Sequence, residues 1–215
     1  SGDFDRDAKQ DLAWFDGLGY YLAFGLGNGT FQRPVRTTVP NQAIPGRGAS
    51  EQQLVTGDFN GDGYPDLAGR VTDASGPGDV NGGTFTRVDV LLYNPTTKRL
   101  DSLPDNTNLL GPLNVLPAFY IDEALGYADL NGDGKAELFA HAAEVKGYAD
   151  RPDTPERLYV WTPTLNTSAT DASQLFTRTV IDNPHLNNRP NDPIIGFAIG
   201  DFNHDGKPDL AANVN

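Results

Sequence analysis

Apolar and polar residues alternate over short stretches of this chain, and turn residues cut one stretch from the next. YYLAFGLG from Tyr20 and RTTV from Arg36 come first, TRVDVLLYN from Thr86 follows, and RLYVWT from Arg157 and LFTRTVI from Leu175 come later. Two-residue alternation rich in Val, Tyr, Phe and Thr marks strands, because successive strand side chains point to opposite faces. GNG, NP and PTTK separate the runs, as hairpin turns would. The best helical stretch, Tyr120 to Gly126, is too short to hold a helix. The pattern predicts an all-β chain.

One acidic segment recurs four times without gaps: GDFDRDAKQDLAWF from Gly2, GDFNGDGYPDLAGR from Gly57, ADLNGDGKAELFAH from Ala128 and GDFNHDGKPDLAAN from Gly200. Their first aspartates, Asp3, Asp58, Asp129 and Asp201, lie 55, 71 and 72 residues apart. An interval of that size holds one four-stranded sheet. Strand-like sequence enters each segment, as in QQLVTGDF, and leaves it, as in DLAGRV. The expected unit is strand, acidic loop, strand, then two further strands. The 215 residues read as one repeat domain, with units of about 1–56, 57–127 and 128–199 and a partial unit of about 200–215.

Counting from the first aspartate, oxygen-bearing side chains fall at loop positions 1, 3, 5 and 9: Asp3, Asp5, Asp7 and Asp11; Asp58, Asn60, Asp62 and Asp66; Asp129, Asn131, Asp133 and Glu137; Asp201, Asn203, Asp205 and Asp209. Calcium takes about 6 to 8 oxygen ligands, and a tight loop of alternating Asp and Asn supplies them. The backbone carbonyls of Lys9, Tyr64, Lys135 and Lys207 at position 7 are further candidates. An EF-hand is rejected, since position 12 is Trp14, Gly69, Ala140 or Ala212 where that loop needs Glu. The closing ligand is then the acid at position 9, followed at once by Leu12, Leu67, Leu138 or Leu210. Asp, Asn and Gly also form turns without any metal. Four in-phase copies outweigh that alternative, because crowded carboxylates repel unless a cation neutralises them. The first loop is the weakest by geometry: Ala8 stands where the others have Gly63, Gly134 and Gly206, although Asp5 adds a carboxylate in place of Asn. Up to four Ca2+ ions are expected.

Composition narrows the classes. The net charge of −13 disfavours nucleic acid, which calls for clustered Lys and Arg. Thirteen of the 29 acidic residues sit in the loops, so four divalent ions would bring the charge to −5. With 24 Gly, 16 Pro and no Cys, the chain favours turns and has no disulfide framework. No apolar run of about 18 residues and no charged-then-apolar leader is present, so the sequence reads as a mature or excised piece without a membrane span.

GFAIGDFNHDGKPDLAAN, LVTGDFNGDGYPDLAG and FGLGNGTF resemble the FG-GAP and VCBS repeats of integrin alpha-chain propellers and of many secreted microbial and fungal proteins. The resemblance implies a β-propeller with one blade of four antiparallel strands per repeat, and calcium in the hairpin between two strands of a blade. It assigns the four loops as metal sites. Three loop-to-loop units are too few for a ring, since propellers have about 4 to 8 blades. The expectation is part of a larger propeller, a ring completed by other chains, or an open assembly.

For function, the leading expectation is a calcium-stabilised extracellular recognition or adhesion module for a glycan or protein. The sequons at Asn28 and Asn166 and the Thr/Ser-rich stretch from Thr162 to Ser173 are compatible with secretion. Trp14, Trp161, Tyr20, Tyr21, Tyr93 and Tyr148 are the rings available for sugar stacking, with the blade core as their favoured place. A subunit of an extracellular fibre or surface assembly is the second class. The third, part of a secreted polysaccharide-active enzyme, is what the resemblance implies and the residues do not support: His141 beside Glu144 and His185 near Asp182 are the pairs that could be drawn as acid and base, His204 lies inside a loop, and no catalytic residue is assigned.

Overall fold

Leu67 and Ala68 are adjacent, both fully buried, and belong to different cores. A strand achieves this only when its sheet is covered on both faces. The computed structural model describes residues 1–17, 19–37, 49–73, 85–102, 118–145, 157–164, 166, 174–181 and 194–214. They contain thirteen strands and no α-helix.

The strands form four antiparallel sheets in chain order. The first holds β1 (Leu12–Phe15), β2 (Tyr20–Ala23) and β3 (Val35–Thr37). The second is β4 (Ala49–Gly57), β5 (Asp66–Asp73), β6 (Phe85–Asn94) and β7 (Arg99–Ser102). The third runs β8 (Ala118–Ala128), β9 (Glu137–Val145), β10 (Arg157–Pro163) and β11 (Phe176–Ile181), and the fourth is β12 (Ile194–Gly200) with β13 (Asp209–Val214). Tyr120 to Gly126 lies within β8 as strand. Each acidic loop joins the first two strands of its sheet: Gly57 pairs with Asp66, Ala128 with Glu137 and Gly200 with Asp209. In the first sheet only an isolated bridge, Gly2 to Asp11, holds that place among the described residues. Among the described residues the sheets do not close into a barrel; they are open, propeller-like blades.

Three cores join consecutive sheets. Tyr20, Leu22 and Phe24 of the first meet Leu67, Leu91 and Tyr93 of the second. Val55, Val88 and Val90 meet Leu138, Tyr159 and Trp161 of the third. Phe139, Leu158 and Val160 meet Phe197 and Leu210 of the fourth. β9 and β10 therefore alternate between two cores, the two-residue period read from RLYVWT.

Position 10 faces the preceding sheet in the last three repeats, through Leu67, Leu138 and Leu210, whereas Leu12, with no sheet before it among the described residues, is 41% exposed. Position 2 faces the following sheet through Phe4, Phe59 and Leu130, whereas Phe202 is 59% exposed.

Polar ties fix the sheets against each other. The buried Tyr20 hydroxyl donates to Asp89 at 3.0 Å, and Thr37 Oγ1 donates to the Leu100 carbonyl. Register shifts in β4 and β8 bring Gln53 beside Leu125, where its amide donates to the Leu125 carbonyl at 2.6 Å and accepts from the Leu125 N–H at 2.8 Å. The side chain satisfies a backbone pair at the irregularity in β8.

Candidate metal-binding loops

The four loops share one backbone path, set by which residues tolerate left-handed φ. Positions 4 and 6 are both left-handed: Arg6 (59°) and Ala8 (65°), Gly61 (78°) and Gly63 (88°), Gly132 (79°) and Gly134 (85°), His204 (61°) and Gly206 (84°). Glycine adopts this conformation without the Cβ clash that Arg6, Ala8 and His204 carry. The strain anticipated at Ala8 is present, and position 4 carries the same demand, which the sequence reading missed.

This path turns backbone N–H groups onto the acidic side chains. Position 1 accepts from the N–H groups of positions 5 and 6: Asp3 from Asp7 and Ala8, Asp58 from Asp62 and Gly63, Asp129 from Asp133 and Gly134, and Asp201 from Asp205 and Gly206, all at 2.8–3.2 Å. Position 5 accepts from the position-7 N–H, pairing Asp7 with Lys9, Asp62 with Tyr64, Asp133 with Lys135 and Asp205 with Lys207. Asn60, Asn131 and Asn203 accept from position 5 in their own loops.

Position 9 turns into the protein. Asp11, Asp66 and Glu137 are at most 2% exposed, and Asp209 is half-buried. Each accepts from the position-2 N–H: Asp11 from Phe4, Asp66 from Phe59, Glu137 from Leu130 and Asp209 from Phe202. The other oxygen of Asp11 takes the Gly25 N–H, that of Asp66 the Tyr93 N–H, and that of Glu137 the Asn131 amide. Burial raises the pKa of Asp11 and Glu137 and pushes Asp66 well above the usual carboxylate range, against the opposing pull of those N–H donors.

The first loop gathers carboxylates most tightly. Asp3, Asp5 and Asp11 each bring an oxygen within 4.8 Å of the others. Asp5 Oδ1 is buried there without a hydrogen-bond partner. Oxygens so spaced suit one ion with ligands at about 2.3–2.6 Å, so the residues fit calcium. Asp7 instead binds Lys9 Nζ at 2.6 Å, which lowers its pKa, and Asp5 Oδ2 meets Lys98 Nζ at 3.1 Å. Arg6 crosses to the second loop and lies 5.5 Å from the Tyr64 ring centre, so neighbouring loops touch.

Residues 3–69 match the family model described as FG-GAP-like repeat. This segment is similar to an FG-GAP-like repeat. It opens on the first acidic loop and closes in β5, just beyond the second. No curated protein and no solved structure matches the chain.

Other candidates fall in varied places. Tyr20, Tyr93 and Trp161 are core residues, Trp14 and Tyr21 are half-buried, and Tyr148 lies outside the described residues. Asn28 sits in an exposed turn and accepts from the N–H and hydroxyl of Thr30; Asn166 is half-buried, and the rest of its sequon is outside the described residues. His141 and Glu144 stand on β9, His204 is in the fourth loop, and Asp182 and His185 lie outside the described residues. A cleft of about 310 Å³ opens between the second, third and fourth sheets, lined by Gln53, Val55, Leu125, Tyr127, Phe197 and Ile199. Among the described residues no helix is long and apolar enough to cross a membrane.

Proposed function

We propose that the chain is a calcium-stabilised recognition module that works outside the cell and binds a glycan or protein ligand. The observation that carries the calcium reading is Asp5 Oδ1, a buried oxygen with no partner, held among Asp3 and Asp11. Burying such an atom is costly unless a cation completes its coordination. The repeated wiring supports the same role for the other loops: positions 1, 3, 5 and 9 would hold the ion, with the position-7 carbonyls. Bound calcium would neutralise the carboxylates and cross-link each loop to its strands. FG-GAP-like repeats commonly occur in extracellular, often adhesion-related proteins, which supports the setting.

Calcium is expected to raise the melting temperature by roughly 10 °C at saturation, and EDTA to reverse the gain. Differential scanning calorimetry checks this; a melting temperature indifferent to calcium and chelator overturns the reading. A glycan array probed with and without EDTA tests recognition, with binding expected only when calcium is present.

A further inference from the structure

We infer that Lys98 is a built-in counter-cation of the first loop and sets that loop's affinity for calcium below what its four carboxylates would otherwise give. The inference rests on the calcium reading above and concerns a residue outside the repeated motif.

At position 3 the other loops carry Asn60, Asn131 and Asn203, whose amides donate to Asp62, Asp133 and Asp205 within their own loops at 3.0–3.3 Å. The first loop carries Asp5, which adds a negative charge and cannot donate. Its side chain is only 10% exposed, and its Oδ2 is met from another sheet by Lys98, 93 residues away in sequence, at the turn between β6 and β7. The position of Lys98 is built: its backbone is left-handed, with φ 53°, and its Nζ lies 5.6 Å from the Phe24 ring centre. Lys9 and Lys135 also pair with carboxylates, but from position 7 and with position 5 of their own loops.

The ammonium and an incoming divalent ion act on the same carboxylate group. Each positive charge within a few ångströms weakens the attraction of the loop for the next. Lys98 is 61% exposed at its side chain, so its head can leave toward water when the ion arrives. The carboxylates are thus partly neutralised before calcium binds, and the ion competes with a tethered charge for Asp5.

The test is a calcium titration of the full chain followed by NMR at the amides of Asp7, Ala8 and Lys9, which resolves the first loop from the others. Lys98→Met keeps the aliphatic stem and removes the charge; half-saturation of the first loop is expected at about tenfold lower calcium, with the other loops unchanged. Lys98→Arg is expected to stay near the wild-type value. In an Asp5→Asn background, the Lys98→Met change is expected to shift half-saturation by less than about twofold, because its partner charge is gone. Equal half-saturation in the wild type and Lys98→Met overturns the inference while leaving the calcium reading standing. Loop amides unmoved by calcium in every variant overturn both.

Discussion

Ala8 shows how far a single position can be judged from its neighbours in an alignment of repeats. Three glycines at position 6 announced a left-handed residue, and Ala8 does stand at φ 65°. Position 4 was legible in principle from Gly61 and Gly132, but Arg6 and His204 hid it, since a polar residue reads as an ordinary turn. Ala8→Gly is expected to stabilise the protein by about 1 kcal/mol, and Gly63→Ala to destabilise it by a similar amount, both measured by urea denaturation. Tyr93 offers a test of burial. Its hydroxyl is buried without a partner, and burial raises its pKa to about 12. The fold therefore prefers the protonated phenol. The stability linked to it is complete below the ordinary value of 10.0 and is lost as pH rises to about 12. Tyr93→Phe, which keeps the ring beside Phe4 and Tyr64, is expected to flatten that part of the alkaline decline. Unfolding curves of the two proteins across this range check it.

At the level of elements, the acidic loop and its two strands form one wired unit. Sequence reading named the position-9 acid as the closing ligand, because position 12 offers no Glu. It did not disclose that the same carboxylate also gathers backbone N–H groups. Asp66 takes one from Phe59 in its own loop and one from Tyr93 at the end of β6. That second partner is 27 residues away, and nothing local signals it. Each carboxylate oxygen has a further lone pair, so the structural bonds leave room for a metal. Asp66→Asn removes one acceptor and sets an amide N–H₂ against a buried donor. A loss of about 2 kcal/mol is expected in calorimetry or denaturant unfolding with EDTA present, before any metal effect is counted.

Across the whole molecule, the repeat and the two-residue period were enough to predict antiparallel sheets of up to four strands. They could not show which sheet each face meets. That follows from the three cores, in which position 10 looks back and position 2 looks forward. Leu138, fully buried between the second and third sheets, is a joint of this kind. Leu138→Ala is expected to cost about 3 kcal/mol by leaving a cavity, read as a lower denaturant midpoint. The interlocking of Gln53 with Leu125 was equally invisible in sequence, since it depends on two strand irregularities falling side by side.

Position 12 gives the molecule a direction. Gly69 leaves no room for a Cβ, which would lie 2.5 Å from the Tyr20 hydroxyl, and the later repeats have Ala140 and Ala212 there. The first repeat has Trp14, stacked on Tyr21 with ring centres 5.1 Å apart, while Arg36 lies 5.8 Å from the far ring. A sheet approaching this side at the internal spacing would collide with the indole. Duplicating a repeat by gene fusion at that side would therefore need a compensating change at Trp14, whereas the opposite side presents the uncovered ring of Phe202.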